Sequence, residues 1–226
     1  MINRMFAFCM TGTVMFFFGC SPYLKHVSTL RDNDVEKRRN AAFQLSTLDK
    51  IDEKMLPALL DALSDKDPIV REFVIKSIGK MNPRIEAVPQ AVRRGLADPD
   101  LCVRRASAAV FSSMRPVPSV VLPALARTLS DEDSLLRSFV VSSFVDIGPI
   151  GINALVNIAQ AASEKADVRC SALETLGTIG CEAKRALPDL KKLLDDQDET
   201  VRNAAQESIR KIELSYSCTS AVNNTH

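Results

Sequence analysis

Arginine and aspartate recur at a fixed interval along this chain, and together they could form a site. An arginine stands every 32 or 33 residues, and in five of six cases an aspartate precedes it by four residues. A row of guanidinium groups is what an anion-binding stripe would need, because guanidinium matches carboxylate and phosphate geometry. The residues are Arg38, Arg71, Arg104, Arg137, Arg169 and Arg202, with Asp34, Asp67, Asp100, Asp133 and Asp198.

The same spacing also has a structural explanation, which we favour. Each arginine begins a predicted helix just after a loop, and the loop usually carries aspartate. From there the arginine can pair with an aspartate of its own or a neighbouring loop and tie repeats together. A binding site rarely needs six copies. We therefore predict a structural ladder.

Residues for catalysis are scarce. His26 and His226 are the only histidines, so a serine or cysteine nucleophile has almost no candidate base. No Walker loop, dinucleotide fingerprint, CxxC motif or cysteine–histidine cluster is present. The acidic run Asp131–Asp133 is explained by helix capping and solvation. We predict no catalytic residue, no metal site, no cofactor and no enzymatic activity.

The overall charge argues against a nucleic-acid partner. The chain has 29 Lys and Arg against 28 Asp and Glu, a formal net charge of +1. Phosphate contacts dominate nucleic-acid affinity, and such proteins usually show a basic excess.

The first 22 residues, MINRMFAFCMTGTVMFFFGCSP, have the composition of a secretory signal. One basic residue, Arg4, precedes an apolar run too short for a comfortable membrane span. The stretch ending in Gly19-Cys20 resembles the lipobox of bacterial lipoproteins. That resemblance implies cleavage after residue 19 and a lipid on Cys20. Phe17 and Phe18 stand where a lipobox usually has leucine and a small residue, so an ordinary cleaved signal and an uncleaved anchor stay open.

A repeat of about 33 residues must position the ladder. The stretches LSDKDPIVRE, LADPDLCVRR and LSDEDSLLRS begin at residues 63, 96 and 129. Such a period indicates a solenoid. Each unit divides into two apolar stretches of helical periodicity, the second opened by an aspartate placed as an N-cap. We predict second helices at 34–48, 68–81, 101–114, 134–147, 166–179 and 199–213.

Two rows of residues predict the buried face of these helices. Three residues after each arginine the chain has small side chains, and seven after it has large apolar ones, so that neighbouring helices can interlock. The small row is Ala41, Val74, Ser107, Val140, Ala172 and Ala205, and the large row is Leu45, Ile78, Phe111, Phe144, Leu176 and Ile209.

These stretches resemble the HEAT-repeat family, in particular short bacterial units similar to those of phycobilisome lyases. DKDPIVREFVIKSIG (65–79) and DQDETVRNAAQESIRKI (196–212) carry the resemblance, which covers about residues 30–213. It implies an all-α, armadillo-like right-handed solenoid of about six helix pairs, with second helices lining a concave face. HEAT-repeat deoxyhypusine hydroxylases bind di-iron through His-Glu pairs, and here no histidine is followed by glutamate.

Surface positions one, five and eight after each arginine should face the concave side. In the third and fourth units these side chains are small and nearly uncharged, which suggests a shallow groove for an extended peptide or a helix. A plain solvated face is the alternative. The predicted binding face is Arg105, Ala109, Ser112, Ser138, Ser142, Val145 and Glu174.

Together these features predict a signal peptide at 1–19, a lipidated Cys20 with a short tether or partial first helix to 29, a solenoid at 30–213 and a disordered tail at 214–226. We expect a monomeric, non-enzymatic scaffold in the bacterial envelope, held to the membrane by lipid, that binds a protein partner. Ser21 after the cysteine is not the aspartate of inner-membrane retention, which slightly favours the outer membrane. The alternatives are a lyase-type enzyme or subunit, and a cytosolic scaffold with an uncleaved anchor.

Overall fold

The computed structural model describes residues 22–223, and side chains over residues 25–215. Within that part the regular structure is helical, with six pairs of α-helices and short 3₁₀ turns. The first helices are α1 (Pro22–Thr29), α3 (Leu56–Ala62), α5 (Ala87–Gly95), α7 (Leu122–Arg127), α9 (Pro149–Gln160) and α11 (Leu187–Lys192). The second helices are α2 (Val35–Thr47), α4 (Pro68–Ile78), α6 (Leu101–Ser113), α8 (Ser134–Ile147), α10 (Ala166–Ile179) and α12 (Glu199–Asn223). The predicted all-α solenoid of about six pairs is confirmed.

Second helices begin where aspartate satisfies free backbone N–H groups. The Asp67 carboxylate accepts from the N–H groups of Ile69 and Val70, and Pro68 takes the first helical position, where no N–H is needed. Asp34, Asp100, Asp133 and Asp198 also accept a backbone N–H in the first turn. In the fifth unit Lys165 stands at the cap and makes no such bond.

The core lies where the two rows predicted it. Every member of the small and the large row is buried. Ser107 is completely buried, and its hydroxyl donates to the backbone carbonyl oxygen of Val103. Each helix pair thus buries its apolar face against its neighbours, which gives a solenoid its stability.

The observed helix ends differ from the predicted ones by more than one residue at two places. Helix α4 stops at Ile78, three residues before the predicted end, and Gly79 after it lies close to the side chain of Val110. Helix α12 continues to Asn223, ten residues beyond the predicted end at 213. The prediction of a tail from residue 214 thus differs from the structure up to residue 223; residues 224–226 lie outside the described part. The polar composition of residues 214–223 led to a helix end predicted too early. This stretch contains neither proline nor glycine, so nothing in it breaks the helix.

Packing between second helices is uneven along the solenoid. Helix α4 packs closely against both α2 and α6, and α10 packs closely against α12. There the Ser208 hydroxyl donates to the carbonyl oxygen of Leu173, and Gly177 lets α12 approach. Helix α8 contacts α6 over a shorter stretch and barely approaches α10, and the 3₁₀ turn Thr128–Ser130 contacts both α8 and α10. The fourth unit is therefore the loosest member of the row.

Candidate functional site

The arginine ladder forms ion pairs across neighbouring units. Arg71 Nε and Nη2 lie 2.8 and 2.7 Å from the two carboxylate oxygens of Asp98, in the next loop. Arg38 binds Asp65 and Arg104 binds Asp131 through the same two nitrogen atoms, and Arg169 binds Asp196. Each of these arginines pairs with the aspartate 27 residues further on. In these four units the arginine therefore joins the loops of two neighbouring repeats.

The third guanidinium nitrogen, Nη1, binds the loop that precedes the arginine's own helix. Arg71 Nη1 donates to the carbonyl oxygens of Asp65 and Lys66. Arg38, Arg104, Arg137 and Arg202 make the equivalent pair of bonds. One guanidinium thus fixes two successive loops, a use for which its five donors in a planar fork are suited.

The capping aspartates of the ladder do not pair with the ladder arginines. Asp67 binds Arg39, and Asp133 binds Arg105, with Nη2 to carboxylate oxygen distances of 2.6 Å in both pairs. These partners stand one residue after a ladder arginine and belong to the preceding unit. The sequence pattern placed aspartate correctly but did not distinguish the capping aspartate from the one two residues earlier.

These contacts shift carboxyl pKa values downwards. The hydrogen bond from Arg39 holds the pKa of Asp67 below its ordinary value, against the opposing effect of burial. Burial pushes the pKa of Asp98 upwards, but hydrogen bonds from Arg71 and the Asp100 N–H, with the charge of Arg71, leave it lowered. Both carboxyl groups are therefore ionised at neutral pH.

The ladder is interrupted between the fourth and fifth units. Glu164 stands 27 residues after Arg137, where the other units have aspartate. Its carboxylate is instead bound by Nε and Nη2 of Arg127, from helix α7. The Arg127 hydrogen bond lowers the pKa of Glu164, which is thereby held as an anion. Among the residues that the structure describes, no carboxylate lies within 4 Å of the Arg137 guanidinium.

A depression of about 260 Å³ opens between α6 and α8. Arg105, Ala109, Leu135, Leu136 and Phe139 line it. Leu135 is 69% exposed and Phe139 40%, although both are large and apolar. The Arg105–Asp133 pair lies at this depression, so its apolar floor has a charged border.

The predicted binding face is found only partly at this depression. Arg105 and Ala109 line it, and Ser138, Ser142 and Val145 are exposed on the same helix as Leu135. Ser112 is half-buried, with its hydroxyl bonded to the carbonyl oxygen of Ala109. Glu174 is exposed on α10, which lies beyond the break.

Leu135 and Phe139 are the surface residues that the sequence pattern missed. They stand two residues before and after Arg137, positions that belong to neither predicted row. Comparing those two positions among units would have set the second and fourth units apart, since Ile69 and Phe73 occupy them in the second unit and the other units have small or polar residues there. There Phe73 is covered edge-on by Phe43, with ring centroids 5.3 Å apart. Phe139 is instead 40% exposed.

Other kinds of site find no support in the described part of the chain. Over these residues no group of three His, Cys, Asp or Glu side chains is arranged to hold a metal ion. Cys102, Cys170 and Cys181 are free thiols. No helix within the same residues combines the length and hydropathy needed to cross a membrane. Cys20 and the predicted signal segment lie outside the described residues.

The repeat pattern matches HEAT repeats at residues 25–112 and 121–210. This chain belongs to the HEAT-repeat family. The eight residues between the matched stretches directly precede the fourth unit, where packing and ladder also change. Comparison with curated proteins returned no match.

Several solved structures are similar to this chain at low identity. The Escherichia coli protein YibA is 20% identical over 84% of this chain and 81% of its own, with a TM-score of 0.48. A designed armadillo repeat protein in complex with the peptide (KR)4 is 19% identical over 85% and 100%, with a TM-score of 0.46. Human deoxyhypusine hydroxylase in complex with glycerol is 18% identical over 84% of each chain, with a TM-score of 0.34. None of these similarities informs the function of this chain.

Proposed function

We propose that this HEAT-repeat protein is a non-enzymatic scaffold that binds a protein partner at the depression between α6 and α8. The observation that carries this proposal is the exposure of Leu135 and Phe139 beside that depression. Single exposed apolar residues are ordinary, but adjacent large ones around a concavity are typical of interaction sites.

The shape and chemistry of the depression suit an apolar side chain from a helix or an extended peptide. Its volume of about 260 Å³ can take such a side chain, and Leu136 provides a buried floor. Covering a leucine or phenylalanine fully contributes about 1.5–3 kcal/mol each. Arg105 and Asp133 leave polar groups at the border, which could orient the partner.

Export and a lipid anchor on Cys20 complete the proposed function. The support is the apolar run behind Arg4 and the Gly19-Cys20 pair. Several acyl chains on one cysteine would hold the protein to a membrane firmly, whereas one chain alone binds marginally. The first helix begins at Pro22, so the solenoid would lie close to the lipid surface. The outer membrane of the bacterial envelope is the proposed location, and the monomer the proposed state.

Site-specific photocrosslinking tests the binding surface. Benzoylphenylalanine replaces Phe139 in one version of the full-length protein and Val120, an equally exposed residue before α7, in another. We expect one partner to be crosslinked from position 139 and not from 120, and Leu135→Asp to abolish that adduct while the melting temperature is kept. Equal adducts from both positions would contradict the proposal, as would a visible chromophore that copurifies with the protein.

Intact mass and membrane fractionation test the anchor. A mature chain that starts at Cys20 and carries acyl mass, both lost in Cys20→Ala, is the expected result. A chain that retains Met1, or one cleaved without lipid, would contradict the lipoprotein proposal and leave the binding surface unaffected.

A further inference from the structure

We infer that Arg137 is an open position of the ladder that binds a carboxylate of a partner protein. The inference concerns the edge of the solenoid, where the loops lie, and is independent of the depression between α6 and α8. Leu135 and Phe139 stand two residues from Arg137 on either side, so at 100° per residue they point to the opposite side of α8.

The intact units show what a guanidinium in this position binds. In three successive units, Nε and Nη2 of the ladder arginine contact the two oxygens of one aspartate, at 2.6–3.1 Å. Paired bonds to one carboxylate are among the stronger hydrogen bonds in proteins and require this planar fork. These three arginine–aspartate pairs therefore show, within the protein itself, the geometry proposed for a partner's carboxylate.

Arg137 is held in the same way as these arginines but lacks their ligand. Its Nη1 donates to the carbonyl oxygens of Asp131 and Glu132 at 2.6 and 3.0 Å, the equivalents of the bonds made by Arg71. Its Nε and Nη2 have no partner among the described residues. Because the loop bonds already orient the guanidinium, little side-chain freedom remains to be lost on binding.

Arg127 keeps the position open. It binds Glu164, the residue whose place in the repeat corresponds to the missing aspartate. Both carboxylate oxygens of Glu164 are thereby bound by Arg127 and neither contacts Arg137. The arginine that binds Glu164 lies on α7, a first helix. At the equivalent place on α5, Arg94 donates a hydrogen bond to the Ser64 hydroxyl and binds no carboxylate of the described residues.

The acidic neighbours of Arg137 do not prevent carboxylate binding. Asp131 is neutralised by Arg104 and Asp133 by Arg105. Aspartates at the same places flank Arg71, which binds Asp98 nonetheless. Glu132 is exposed and is the one extra negative charge of this loop, where the second unit has Lys66. Glu132→Gln should accordingly tighten binding by up to about threefold.

NMR of the arginine Nε–Hε groups tests the inference directly. The probe is acetyl-Ala-Asp-Pro-Asp-amide, a copy of residues 97–100 that contains the natural ligand of Arg71. We expect a saturable shift of the Arg137 signal, identified by its loss in Arg137→Lys, and no shift for Arg71 or Arg104. The matched peptide with both aspartates changed to asparagine should bind at least about fivefold more weakly. Equal shifts for all ladder arginines, or none for Arg137, would overturn the inference.

Two further measurements separate the alternatives. Arg127→Ala frees Glu164, which should compete within the molecule and weaken peptide binding several-fold, while Arg127→Ala with Glu164→Gln should restore it. Stronger binding of inorganic phosphate than of the peptide would replace the carboxylate assignment by one to phosphate and overturn the inference. Loss of crosslinking at Phe139 would not affect this result.

Discussion

The junction between the second and third units and the junction between the fourth and fifth use the same repeat differently. At the former, Arg71 binds Asp98, and α4 and α6 pack closely. At the latter, the arginine is present but the acidic residue is bound by Arg127, and α8 barely approaches α10. The first arrangement uses its charges and apolar groups to hold the solenoid together, and the second leaves the Arg137 guanidinium without a carboxylate ligand among the described residues.

The comparison shows how a repeat can gain a binding surface without losing its register. Helix α8 keeps its buried row of Leu136, Val140 and Phe144. What changes is the packing around that row, since α8 contacts α6 over a shorter stretch and barely approaches α10. The depression, between the third and fourth units, and the open arginine, between the fourth and fifth, thus lie at the two junctions that α8 makes with its neighbours.

The largest effect is expected from Leu136, which faces the core, in contrast to its neighbour Leu135. Leu136→Ala removes a side chain that is 2% exposed and should cost about 2–5 kcal/mol of unfolding free energy. Leu135→Ala, at 69% exposure, should cost less than about 0.5 kcal/mol. Urea denaturation of both variants measures the difference. Equal costs would mean that Leu135 belongs to the core and not to a binding surface.

A somewhat smaller effect is expected from the intact ladder. Asp98→Ala leaves the Arg71 guanidinium without its carboxylate and the Asp100 N–H without its acceptor, and should cost roughly 2–4 kcal/mol. Glu132→Ala, in the loop of the interrupted unit, is the matched control and should change stability by less than about 0.5 kcal/mol. Thermal melting at neutral pH compares them. A neutral Asp98→Ala would show that the ladder does not hold the units together.

Much of this architecture could be predicted from residue spacing. The arginine period located all six second helices, and the two buried rows followed from counting three and seven residues onward. The capping aspartates were also correctly placed, because the first turn of a helix always needs acceptors for its free N–H groups. These features are local or repeat in every unit, so one sequence contains several copies of the same information.

The irregular junction could not be predicted in this way. Arg127 lies outside the ladder, and nothing in its spacing to Glu164 indicates that the two side chains meet. Phe139 shares the depression with the small Ala109, whereas Phe73 at the equivalent position is covered by the ring of Phe43. Such differences arise from packing between units, which a repeat alignment averages away.

A pH-dependent difference is expected at the Arg39–Asp67 pair. Arg39 lowers the pKa of Asp67, so the pair stabilises the fold fully above the ordinary aspartate pKa of about 3.9 and less as pH falls below it. The stability gap between wild type and Arg39→Gln should therefore be constant from pH 7 to about 5 and narrow below about 4. Denaturation at several pH values measures it, with Leu135→Ala as a pH-independent control. A gap that widens in acid would contradict this assignment.

The smallest effect on stability is expected where the ladder is interrupted, at Arg127, Glu164 and Arg137. Arg127→Ala should cost less than about 1 kcal/mol, because the Arg127 side chain is 54% exposed and freed Glu164 can then pair with Arg137. If it does, Arg137→Gln should be more damaging in the Arg127→Ala background than in wild type, with a coupling of about 0.5–1 kcal/mol in a double-mutant cycle. Zero coupling would mean that Glu164 cannot reach Arg137, so that the ladder is interrupted by the distance between the units and not by competition for one carboxylate.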